Sequence, residues 1–146
     1  MNLMIDDFVQ EYSNDYSETY IVKVEKPIRN GVYDKWNHFH EADWIEPILL
    51  TAEILEKNKF KLNEEESKFL SKLSKTKVLA YDFPKVLGNR FLIEYYTKNK
   101  VAYLTDHCYI AIKYVHEFQH LLRLMERKAP EVKDIADNFI VDYGAK

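Results

Sequence analysis

Phe91-Leu92-Ile93-Glu94-Tyr95-Tyr96-Thr97-Lys98-Asn99-Lys100-Val101-Ala102-Tyr103-Leu104 is a pair of aromatic and β-branched runs joined by a short polar turn. Such side chains suit a pleated, half-buried surface, and the polar turn reverses the chain, so an antiparallel hairpin is predicted over 91–104. The period then changes. Asp106 is a good N-cap, and Ala111, Val115, Phe118, Leu122 and Met125 recur at helical spacing, which predicts a long helix over about 107–128, stopped before Pro130. A hairpin followed by an amphipathic helix places the chain in the α+β class. The expected architecture is a single domain, 1–146, with a small antiparallel sheet packed by the long helix and by shorter ones.

The flanking sequence fills in the smaller elements. Residues 4–12 read as a short acidic helix, and Thr19-Tyr20-Ile21-Val22-Lys23-Val24-Glu25 as a strand ended by Pro27. Thr51 can cap a helix over about 52–58. Asn63, with Glu66 three residues on, is a capping-box pattern for a helix running to about Lys75. Val132, Ile135, Ala136, Phe139 and Ile140 predict a final helix. No repeat or Pro/Gly/Ser-rich linker divides the 146 residues.

Composition narrows the class. Apolar residues make up 47% and charged residues 31%, the balance of a globular domain. The single cysteine, Cys108, excludes an intrachain disulfide, and the acidic start lacks the order of a signal peptide, so a cytoplasmic protein is expected. The net charge of −3 conceals a polarity: residues 1–56 carry 12 acidic and 4 basic side chains, and residues 57–128 carry 8 and 15. Such asymmetry can create an anion-attracting face on one part of the chain and leave another part suited to a basic protein.

His116-Glu117-Phe118-Gln119-His120 spells H-E-x-x-H. On a helix the two imidazoles share a face and can hold zinc, with Glu117 as general base on the metal-bound water. That zinc metallopeptidase reading needs a third ligand, for which Glu131 is the candidate, with Asp134 or Asp137 as substitutes. The extended form of the motif would need Gly and His where Arg123 and Glu126 stand. Helical geometry favours a different use. Lys113, His116, His120, Arg123 and Arg127 fall on one stripe opposite Phe118, and such a cationic stripe suits a phosphate or carboxylate better than a divalent ion. The expectation is therefore partly exposed histidines, no cofactor, and an anion-binding stripe of those five residues. His38 and His40 point one way if extended and are a weaker metal pair. Tyr95, Tyr96 and Tyr103 can stack on bases or half-bury against a core.

Ile45-Glu46-Pro47-Ile48-Leu49-Leu50-Thr51-Ala52-Glu53-Ile54-Leu55-Glu56-Lys57-Asn58-Lys59-Phe60 and Ile112-Lys113-Tyr114-Val115-His116-Glu117-Phe118-Gln119-His120-Leu121-Leu122 resemble the two marker segments of a family of small uncharacterised proteins. That family occurs in Bacteroidetes genomes, phages and mobile elements. Its pattern is I-x-P-I-P-L-T-x-E-I-L-x-K-x-G-F, a Tyr/Phe-rich hairpin, then I-K-Y-V-H-Q-L-Q-N-L. The chain departs from it at Leu49 and Lys59, where Pro and Gly are common, and at Glu117 and His120, where Gln and Asn are common. The resemblance implies that the late helix is kept for packing rather than for catalysis. It implies a non-enzymatic phage or mobile-element accessory protein that binds a host protein or ribonucleoprotein. Its most concrete form is an inhibitor of host defence, anti-CRISPR-like, whose basic helix face meets guide RNA.

Overall fold

The computed structural model describes residues 1–12, 18–84, 92–104 and 111–141, within which four α-helices and three antiparallel sheets give an α+β fold. Two compact units can be told apart. Of the described residues, the first comprises 1–12, 18–48, 114–116 and 141, and the second 49–84, 92–104, 111–113 and 117–140.

In the first unit, β1 (Phe8–Tyr12) pairs with β2 (Thr19–Lys23) on one side and β6 (Ile45–Pro47) on the other. A second sheet is the meander of β3 (Lys26–Ile28), β4 (Gly31–Tyr33) and β5 (Phe39–Glu41). Val9, Val22, Val24, Val32 and Ile45 form the core, with Leu3 packed against it. The helix expected over 4–12 is absent. A strand at Phe8–Tyr12 lets Val9 face Val22 across the ladder, while Asp6 and Asp7 exchange backbone hydrogen bonds with Val24 at 2.7 and 2.8 Å. Cross-strand burial of valines outweighs the weak helical pattern of a mostly acidic segment. Pro27 does not end a strand either. It lies inside β3, an edge strand, where a missing N–H costs no ladder bond. A Cβ on Gly31 would lie 2.1 Å from the backbone oxygen of His40, so only glycine permits the β4–β5 approach there.

The second unit contains α1 (Ala52–Lys57), β7 (Lys61–Leu62), α2 (Glu64–Ser74), β8 (Val78–Asp82), β9 (Leu92–Tyr96) and β10 (Val101–Leu104). Its sheet runs β10-β9-β8-β7, all antiparallel. The caps form as expected: the Thr51 hydroxyl accepts from Ile54 N–H at 3.2 Å, and the Asn63 side chain accepts from Glu66 N–H at 3.1 Å. The hairpin has the expected turn, with Lys100 in the left-handed region at φ 55°. Tyr95 faces the interior, while Tyr96 and Tyr103 share the other face, edge to face at 5.5 Å. They half-bury against one another.

β7 pairs only with Tyr81 and Asp82, so α2 takes over along the rest of the β8 edge. Ser67 Oγ accepts the Ala80 N–H at 2.8 Å, and Ser71 Oγ accepts the Val78 N–H at 2.9 Å. Two serines on one helical face thus satisfy edge donors that would otherwise invite another strand.

The remaining helices are α3 (Val115–Met125) and α4 (Val132–Asp137). The long helix is shorter than expected. Residues 107–110 lie outside the described residues, and 111–114 are extended. Ile112 exchanges two 2.8 Å hydrogen bonds with Ala102 of β10, and the Lys113 carbonyl accepts from Leu50 N–H at 2.9 Å. These strand-like bonds consume the backbone groups a helix would need, so α3 starts at Val115, and Ala111 is exposed outside it. Val115, Phe118, Leu122 and Met125 are buried as their spacing predicts. Phe118 packs between Phe60 at 5.5 Å and Phe139 at 5.8 Å, and Phe60 also meets Phe83 at 4.9 Å. Past α4, the Asn58 amide donates to the Ile140 carbonyl and accepts from its N–H, both at 2.8 Å, fixing the chain after Phe139. No helix among the described residues is long and apolar enough to cross a membrane.

Candidate interaction site

The H-E-x-x-H residues are separated by their surroundings. His116 is 6% exposed, not partly exposed as expected, and its ring stacks on Tyr114 at 6.0 Å with an 11° interplanar angle. Glu117 reaches back past the start of α3 and accepts the Lys113 N–H at 3.0 Å, so one carboxylate oxygen ties the helix to the extended chain before it. His120 is half-buried, and Glu131 is exposed ahead of α4. Among the described residues no three His, Cys, Asp or Glu side chains converge to hold a metal ion. His116, His120 and Glu131 do not form the set that zinc chemistry requires.

The five-residue cationic stripe loses two of its expected members. Lys113 precedes α3 on extended chain, and His116 points into the interior. His120 and Arg123 are half-buried, and Arg127 is exposed beyond the helix end. α3 starts about two turns later than the expected residue 107, so Lys113 lies outside the helix and off its face. The burial of His116 is not legible in the sequence because a histidine gives no hydropathy signal of its own.

A more organised surface lies in the first unit, in the loop between β4 and β5. Asp34 Oδ1 accepts the backbone N–H groups of Trp36 at 2.9 Å and His38 at 3.0 Å. The Asp34 N–H donates to the His38 carbonyl, and Asn37, at φ 62°, donates to the Asp34 carbonyl, both at 3.0 Å. Every link in this turn originates at Asp34. Its product is Trp36, 67% exposed, with the Lys35 ammonium 4.4 Å from its ring centroid. Phe39 and Trp44 are exposed nearby in sequence, and Tyr33 packs on Phe39 at 5.3 Å.

The same aspartate is braced from below. His40 Nε2 lies 2.8 Å from Asp34 Oδ2, and its Nδ1 lies 2.6 Å from Glu11 Oε2 on β1. His40 and Asp34 side chains are 15% and 11% exposed. Burial works against the charged imidazole, but the hydrogen bonds and charges of Asp34 and Glu11 outweigh it and raise the His40 pKa above 6.5. For Asp34, burial is likewise opposed and overcome, by the hydrogen bonds from His40, His38 and Trp36, and its pKa is lowered from 3.8. His38, the other half of the suggested metal pair, is 75% exposed and stands 3.8 Å from the Asp34 Oδ2 that His40 meets at 2.8 Å, and no metal-holding group is found there among the described residues.

Residues 1–48 hold 10 acidic and 4 basic side chains, so the exposed aromatics sit in an acidic unit. The sequence signal for this loop was turn chemistry, Asp34 followed by Asn37 between two short β-rich runs. No protein-family model, curated protein or solved structure matches the chain.

Proposed function

We propose that this chain is a non-enzymatic accessory protein of a phage or mobile element that acts in the bacterial cytoplasm. It binds a host macromolecule and inhibits a host defence in the manner of an anti-CRISPR protein. The binding step is carried by one observation: Trp36 projects into solvent from a loop whose backbone is tied down by Asp34. A large aromatic anchor on a pre-ordered loop gains affinity because little ordering entropy remains to be lost on binding. The acidic surroundings favour a basic protein surface over guide RNA, whose phosphates the same charges repel. A host protein that handles nucleic acid presents such a surface. The mobile-element setting rests on the resemblance of the 45–60 and 112–122 segments. Lys59 supports it in a small way, since its φ of 71° is a conformation that suits the glycine common there in the resembled family.

The test is an interference assay in a host strain challenged with a targeted plasmid. Trp36→Ala should abolish protection of the plasmid while leaving the melting curve unchanged, and Arg123→Ala/Arg127→Ala should keep protection. Full protection by Trp36→Ala refutes the assignment of the contact surface. Loss only in the double arginine variant returns the reading to the basic helix and RNA.

A further inference from the structure

We infer that His40 is the latch of the Trp36 loop: as an imidazolium it bridges Glu11 on β1 to Asp34, and loss of its proton releases the loop. This rests on the reading that the loop is the contact surface, and it adds the regulation of that surface.

With both carboxylates ionised, the geometry fits the imidazolium form of the ring. Ionised carboxylates accept hydrogen bonds and donate none, while a neutral imidazole carries a single N–H. With Glu11 at 2.6 Å from one ring nitrogen and Asp34 at 2.8 Å from the other, a neutral ring would turn its lone pair towards one carboxylate. Only the cation donates to both. The groups facing the ring can be named for each element. β1 contributes Glu11, and the loop contributes Asp34, with His38 3.8 Å beyond it. Opposite His40 on β4 stands the buried Val32, which carries no charge. Glu46 of β6 belongs to the other face of β1, where Gln10 and Tyr12 donate to it at 2.6 and 2.5 Å.

Asp34 divides its two oxygens between two tasks. Oδ1 holds the loop N–H groups and Oδ2 holds the imidazolium. Removing the His40 proton therefore sets a lone pair against Asp34 or against Glu11. In the first case the carboxylate that organises the loop is pushed away, and in the second the loop loses its tie to β1. Either way the order that presents Trp36 weakens, and partner affinity falls as pH rises.

Nuclear magnetic resonance of the free full-length chain tests the latch without any partner. The His40 ring should titrate above pH 6.5, and amide protection factors of Trp36 and His38 should fall roughly tenfold through the same midpoint, as expected for loss of a charge-assisted bond. Val9 and Val22 amides should keep their protection. His40→Gln should give the unprotected loop at every pH. If that variant does not fold, Glu11→Gln serves instead, because it removes one carboxylate charge and should lower the His40 midpoint. A His40 midpoint at or below 6.5, or loop protection indifferent to its proton, overturns the latch. Trp36→Ala with unchanged inhibition would instead overturn the contact surface while leaving the latch intact, so the two failures are separable.

Discussion

Replacing Phe118 by alanine, with Glu117→Gln beside it as the comparison, tests what the H-E-x-x-H helix is for. Phe118 has no solvent exposure and sits between two rings, Phe60 and Phe139. Truncating a buried phenylalanine costs about 3–5 kcal/mol, and the loss of two aromatic contacts, each worth about 0.5–1.5 kcal/mol, places this site near the upper end. For a chain of this size that lowers the melting temperature by roughly 10–15 °C. Glu117→Gln should cost under about 0.5 kcal/mol, because a glutamine oxygen can still accept the Lys113 N–H. Urea unfolding followed by far-ultraviolet circular dichroism, with a thermal scan of each variant, supplies both numbers. A plasmid-interference assay run at a temperature where both variants are folded completes the comparison. If the two variants are equally stable and Glu117→Gln alone abolishes function, then the helix carries chemistry after all and the packing account is wrong.

Three further outcomes follow from particular contacts. Ser67→Ala leaves the Ala80 N–H without its acceptor and should cost about 1–3 kcal/mol, against under about 0.5 kcal/mol for the exposed Ser74→Ala; equal losses in urea unfolding would show that the serine face does not guard the β8 edge. Lys59→Gly removes a left-handed penalty of about 1–2 kcal/mol at φ 71° and adds glycine's entropic cost of about 0.5–1 kcal/mol, so stability should rise by up to about 1.5 kcal/mol, and a destabilised variant would contradict this. Because the folded His40 pKa is raised, its contribution to stability is complete below about pH 6.5 and is lost as pH rises through the folded value. Asp34, lowered from 3.8, contributes above that value and loses its contribution as pH falls through the folded one. Urea unfolding across pH should thus show a plateau between these limits that Asp34→Asn erases.

The local rules written in the sequence were those the structure obeys. Thr51 and Asn63 cap the helices they precede because an N-cap needs only its own side chain and an N–H three residues on. The hairpin around Thr97-Lys98-Asn99 and the buried face of Val115, Phe118, Leu122 and Met125 follow from turn chemistry and periodicity, which also act over short range. Distance along the chain is what hid the rest. Phe8–Tyr12 becomes a strand through partners as remote as Ile45–Pro47, and residues 111–114 become extended through Ala102 and Leu50, which no local pattern announces. The candidate site divides in the same way. Asp34 and Asn37 mark a turn in sequence, but the Glu11–His40–Asp34 bridge spans 29 residues on one side and exists only because β1 and β5 come together. Whether a histidine is a solvent-facing ligand, as expected of His116, or a buried ring stacked on Tyr114 depends on what packs over it in the folded chain, which hydrophobic periodicity does not report.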